Sequence, residues 1–165
     1  MKITNCRRLS GLAVALFLSG PVTSLAAEPG SDQTLVERGR YIVTVSGCND
    51  CHTPGYGLAS GEIPESLWLT GDRLGWHGEW GTTYASNLRL LAAQLNETQW
   101  VSMTRTLKAR PPMPWFNLNR MSVEDSRAVY HYLRALGPAG ETAPSYLPPG
   151  TPPTPPYIAF PTSGT

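Results

Sequence analysis

The sequence predicts an all-α protein of few helices joined by long loops. Apolar residues recur at helical spacing in three stretches, near 31–46, 96–107 and 122–136, and the segments between them are rich in glycine, proline and aromatic residues with little periodicity. Asn96 and Ser122 stand where helix caps belong. The 165 residues suit one domain and are too few for two comfortable ones.

The first stretch has a different purpose. Lys2, Arg7 and Arg8 precede the short apolar run from Leu9 to Leu18, and Ser24-Leu25-Ala26 places small residues before Ala27. Residues 1–26 therefore read as a secretory signal peptide, cleaved near Ala26, that exports the chain to the periplasm. The run is about half the length of a membrane span, so no direct membrane span is expected. Cys6 precedes the run and would leave with it, which excludes a lipid anchor on that residue. Without the three basic residues the formal charge of +1 becomes roughly −2, and nucleic acid is not an expected partner. The organisation that follows is a leader at 1–26, a domain at 27–140 and a proline-rich extended tail at 141–165.

From Ser31 to Ser46 an amphipathic helix is expected, with Leu35, Gly39, Ile42 and Ser46 on one stripe. Gly39 in that stripe would let another helix cross closely. The β-branched run Ile42-Val43-Thr44-Val45 competes as a strand, but the motif that follows needs a helical turn.

That motif is Gly47-Cys48-Asn49-Asp50-Cys51-His52. Two thiols at this spacing, with a histidine directly after the second, form the attachment signal for a c-type haem: both vinyl groups bond as thioethers and His52 ligates the iron. One helical turn places Cys48 and Cys51 on one side and projects the imidazole beneath the metal. A thioredoxin-like dithiol and half a zinc site share the Cys-x-x-Cys core. A four-cysteine zinc site needs a second pair, which this sequence lacks. In an oxidising compartment thiols go to disulfides or modification, and here haem attachment would use both.

Between Thr53 and Leu95 loops around short helical turns are expected. Trp76, Trp80 and Tyr84 each combine a ring with an N–H or O–H, and Arg73 is a cation, so these residues are candidates to wall a porphyrin and meet its propionates; an aromatic loop packed on itself is the alternative. Asn96-Glu97-Thr98 matches a glycosylation acceptor but is better explained as a helix start, with Gln99 completing a capping box. Trp100, Met103, Thr104 and Leu107 then share a face, which makes Met103 a core residue. The helix must stop before Pro111.

Arg110-Pro111-Pro112-Met113-Pro114-Trp115 places a methionine on a stiff, extended loop. Such a residue fills a core poorly and suits the second axial position, where a thioether stabilises low-spin iron and raises its potential. The last helix runs from Ser122, with Asp125 at its third position, to Leu136 before Gly137-Pro138. Val129, Tyr132, Leu133 and Leu136 form its buried stripe. Glu124, Arg127, His131 and Arg134 lie opposite, which turns His131 toward solvent and away from iron. His77, on a glycine-rich loop, is the remaining rival to Met113. From Pro144 onward proline density favours extended polyproline conformation, yet Tyr146, Leu147, Tyr157, Ile158 and Phe160 are too apolar for a spacer. The tail should lie along its own domain or dock on a partner.

In this order, from roughly Ser31 to Pro138, these residues resemble the class I c-type cytochromes: a helix with Gly39 and Tyr41, Cys48-Asn49-Asp50-Cys51-His52, a long loop, Met113-Pro114, and a capped helix carrying Tyr132 and Leu133. The segment Gly81-Thr82-Thr83-Tyr84-Ala85-Ser86-Asn87-Leu88 is also similar to single-haem cytochromes that accompany bacterial periplasmic dehydrogenases. The resemblance implies an all-α cytochrome c fold wrapped around one covalent haem c, with the first and last helices crossing near Gly39 and with His52 and Met113 as metal ligands. It implies a non-catalytic electron carrier, accepting electrons from a dehydrogenase and passing them to a downstream oxidase or cytochrome. The alternatives are a peroxidase or gas sensor with an open or labile sixth site, a haem-free thiol oxidoreductase using Cys48 and Cys51, and a fixed subunit held in a complex by its tail.

Overall fold

The computed structural model describes residues 31–161. The expected leader, the rest of the chain up to residue 30 and the last four residues of the tail lie outside the described residues. Six helices follow in order: α1 (Ser31–Val45), α2 (Cys48–His52), α3 (Leu88–Gln94), α4 (Glu97–Thr106), α5 (Trp115–Leu118) and α6 (Val123–Leu136). Three short strands, β1 (Gly75–Gly78), β2 (Gly81–Tyr84) and β3 (Tyr157–Ala159), form a sheet of order β2-β1-β3.

The long helices begin where their caps stand. Asn96 accepts from the Gln99 N–H at 2.9 Å while the Gln99 side chain accepts from the Asn96 N–H at 2.9 Å, a reciprocal box that satisfies two otherwise orphaned donors. Ser122 accepts from the Asp125 N–H at 3.0 Å and starts α6. Helix α1 ends at Val45, one residue before the expected Ser46, and its β-branched run is helical because Ile42 and Val43 bury against the core. Tertiary burial overrides local strand preference here.

Helices α1 and α6 cross at Gly39. A Cβ there would stand 2.0 Å from the Ala128 carbonyl oxygen and 2.7 Å from Tyr132 Cβ, so only glycine lets the two backbones meet. Around this crossing Ile42, Val43, Trp68, Leu69, Trp100, Val129, Tyr132 and Leu133 form the core. A fully buried leucine such as Leu133 contributes about 2 kcal/mol through burial. Met103 packs against this core, as its helical position requires.

The all-α expectation needs correction: the fold is mostly helical but carries the small sheet, whereas α3 is a short helical piece of the kind expected between Thr53 and Leu95. The sheet starts as a hairpin in which Gly75 faces Tyr84 and Gly78 faces Gly81, with Glu79 and Trp80 at the turn. The tail then clasps it from both sides. Leu147 bridges to Thr82 on the outer edge of β2, while β3 runs parallel to β1 with Trp76 opposite Ile158. Gly81, at φ +97°, lies so close to the tail that a Cβ would meet the Leu147 carbonyl oxygen at 2.2 Å. Prolines bar a central strand, but Tyr157–Ala159 is an edge, where they are tolerated nearby. Among the described residues no helix is long and apolar enough to cross a membrane.

Candidate cofactor site

Helix α2 is a single turn hung from the end of α1. It presents Cys48 and Cys51 half-buried and His52 buried, with Cys48 packed against the core. Neither thiol is in a disulfide. The Thr53 hydroxyl donates to Asn49 Oδ1 at 2.7 Å and accepts from the Leu69 N–H at 2.8 Å, and the His52 carbonyl takes the Gly71 N–H at 2.8 Å. The turn is thus fixed from within and by the loop that follows.

His52 Nδ1 lies 2.7 Å from the Ser86 carbonyl oxygen. A carbonyl only accepts, so Nδ1 carries the proton and, in the neutral ring, Nε2 keeps its lone pair. Burial also pushes the imidazole toward the neutral form. A neutral, oriented imidazole whose distal nitrogen is free has the properties of a metal ligand.

The thiols have the opposite character from a redox dithiol. Burial, and then the Asp50 carboxylate, push Cys48 up to about 11, and burial followed by Asp50 and Asp72 pushes Cys51 upward as well. Reactive disulfide exchangers need thiol pKa values lowered rather than raised. Among the described residues no three His, Cys, Asp or Glu side chains converge into a metal cluster. A porphyrin requires none, because it supplies four nitrogens of its own and asks the protein for axial donors only. Two buried donors, Asn49 Nδ2 within α2 and Trp80 Nε1 at the hairpin turn, have no hydrogen-bond partner. The donor set around α2 fits a c-type haem.

Met113 is half-buried on the loop between α4 and α5. The Asn119 side-chain amide donates to the carbonyls of Thr104 at 2.8 Å and Leu107 at 3.2 Å, closing the base of that loop. Near its tip the Thr83 hydroxyl donates to the Pro111 carbonyl at 2.7 Å. One short segment thereby supports both candidate axial donors, Thr83 holding the Met113 loop and Ser86 holding His52. Asn87, next in line, caps α3 and donates to the Ala139 carbonyl at 2.7 Å, which ties the segment to the chain leaving α6.

The other candidates lie elsewhere. Trp76 and Trp80 pack on Phe160 of the tail, with ring centroids 6.1 and 5.2 Å apart, so the self-packed aromatic loop describes them better than a porphyrin wall. Arg73 and Tyr84 line a groove completed by tail residues including Ser145 and Leu147. His77 Nδ1 is bonded to the Thr82 hydroxyl at 2.8 Å and its ring meets Tyr157, which commits it to the sheet. His131 is half-buried rather than turned to solvent, and binds Glu97 at 2.7 Å between α4 and α6.

Sequence reasoning missed Ser86, which acts through its backbone and leaves no side-chain signal. It also missed Arg89. This buried guanidinium donates to the Leu136, Gly137 and Ser66 carbonyls, stapling α3 to the C-terminus of α6, whose last carbonyls have no helical partners.

The chain is similar to two curated proteins, each described as the cytochrome c subunit of a quinone alcohol dehydrogenase, from Gluconacetobacter polyoxogenes and Komagataeibacter europaeus. Each is 28% identical over 123 residues, which cover 67% of this chain and 24% of the relative. The match thus spans about a quarter of the relatives' length. The likeness points to a cytochrome c, and the relatives' described part in their complex is that of a cytochrome subunit. No family model matches the chain, and no solved structure does.

Proposed function

We propose that this chain is a periplasmic one-electron carrier with a single haem c, thioether-linked through Cys48 and Cys51 and axially ligated by His52 and Met113. A dehydrogenase supplies its electrons, and a downstream oxidase or cytochrome receives them. The observation that carries this reading is the α2 turn, with both thiols and an imidazole whose tautomer is set by Ser86. Likeness to dehydrogenase cytochrome subunits supports the class of donor.

When bound, the haem supplies the one-electron iron couple. The chain's own residues do the rest. Ser86 holds the imidazole and strengthens Nε2 as a donor through the Nδ1 hydrogen bond. Burial of His52 keeps water from the ring. Asn119 and Thr83 hold the Met113 loop on the frame, so its thioether would need little movement between oxidation states. With His52 and Met113 both holding the group, no side chain would need to act as acid, base or nucleophile.

Substitution of Met113 tests the ligation. Met113→Ala should retain covalent haem, lower the potential by something on the order of 0.1–0.3 V within the roughly 0.8 V range that axial ligands span, and open the iron to cyanide or carbon monoxide. A variant that binds these ligands no better than the parent would sink Met113 as the sixth ligand. Ready binding by the parent itself would favour the sensor or peroxidase reading.

A further inference from the structure

The loop that carries Met113 has few means of holding itself. Residues 111, 112 and 114 are prolines and have no N–H to donate, so the limb leading to the methionine must be held through carbonyls and side chains. Besides Asn119 at its base, two supports reach it, one from strand β2 and one from the tail clasped to the hairpin. Thr83 donates to the Pro111 carbonyl, and the Arg110 guanidinium lies 3.8 Å from the centre of the Tyr146 ring.

The two sides of that second contact are not equivalent. Tyr146 is fixed at both ends: its hydroxyl donates to the Trp80 carbonyl at 2.8 Å, and the next residue, Leu147, exchanges backbone hydrogen bonds of 2.8 and 3.0 Å with Thr82. Arg110, by contrast, is exposed. The ring therefore sets the position of the arginine rather than the reverse.

We propose that Tyr146 is a positioning residue for Met113: the tail clasped to the hairpin holds Arg110, and through it the methionine loop, in the ligating position. This rests on the His52/Met113 reading above. Tail and sixth position are then one device, and the proline-rich segment has a redox task within its own domain.

An external ligand reaches the iron only in the fraction of molecules whose methionine is off, so its apparent affinity reports how firmly the loop is held. The test is imidazole titration of the ferric holoprotein, read alongside the methionine-to-iron charge-transfer band. Tyr146→Leu and Arg110→Gln should each tighten imidazole binding roughly fivefold and weaken the band, whereas Tyr146→Phe, which keeps the ring, should stay within about twofold of the parent. The double variant Tyr146→Leu/Arg110→Gln should bind no more tightly than either single one, because one contact is lost in all three. A parent that shows the band, with Tyr146→Leu and Arg110→Gln binding imidazole as the parent does, overturns the role of Tyr146 and leaves the ligation intact. Independent, multiplying effects in the double variant also overturn it. Absence of the band in the parent removes the His52/Met113 reading, and this proposal with it. Should Tyr146→Leu fail to yield holoprotein, the exposed Arg110→Gln decides alone.

Discussion

The helical frame and the strand layer of this protein are held together by different physics. Around the α1–α6 crossing the cohesion is burial: Val43 and Leu133 are closed from solvent and Gly39 lies against the Ala128 backbone. In the strand layer all three residues of β3 are exposed, and cohesion comes from ladder hydrogen bonds, the Trp80–Phe160 contact and the Tyr146 hydroxyl. A dense core is intolerant of added volume, whereas a layer of pairings can lose one contact and stay folded. The frame therefore sets whether the protein folds, and the layer sets how its loops are held.

That contrast can be broken by substitution. Gly39→Val places a branched side chain where even a Cβ meets the Ala128 oxygen, and should cost about 3 kcal/mol or more in denaturant unfolding. A loss under about 1 kcal/mol would mean that the crossing is looser than described. In the strand layer Tyr146→Leu should cost only about 1 kcal/mol globally while altering ligand access as described above. The smallest effect belongs to the ion cluster between α4 and α6. Hydrogen bonds from Arg127 and then His131 hold the Glu97 carboxyl below its usual range. A depressed folded pKa means that the stabilisation is present above the ordinary glutamate range and disappears as pH falls through the folded value. Glu97→Gln should therefore lose on the order of 0.5 kcal/mol at neutral pH, and the gap should close in acid. A gap that widened in acid would contradict the assignment.

The same division explains what the sequence made readable. Asn96 with Gln99, Ser122 with Asp125 and the α6 stripe are encoded within one or two helical turns, so local reasoning reaches them. Gly39 was legible because a glycine inside an apolar stripe has few other uses. Cys48, Cys51 and His52 were expected on one turn, and α2 carries all three. The sheet pairs Trp76 with Ile158 across half of the chain, and no local pattern announces such a partner. Ser86 acts through a carbonyl that any residue has. Arg89 looks like a surface cation until the end of α6 is placed beside it. The tryptophans expected at a porphyrin found the tail first, since Phe160 offers them an apolar partner.

The central claim is that α2 and the Met113 loop together hold a low-spin haem c. The most direct measurement is the visible and near-infrared absorption spectrum of the oxidised protein, produced from the full-length sequence in a host that matures c-type cytochromes. The account predicts a haem spectrum that survives denaturing extraction, with a methionine-to-iron charge-transfer band. Covalent haem without that band would move the sixth ligand away from Met113, and a colourless protein with free thiols would contradict the account at its base.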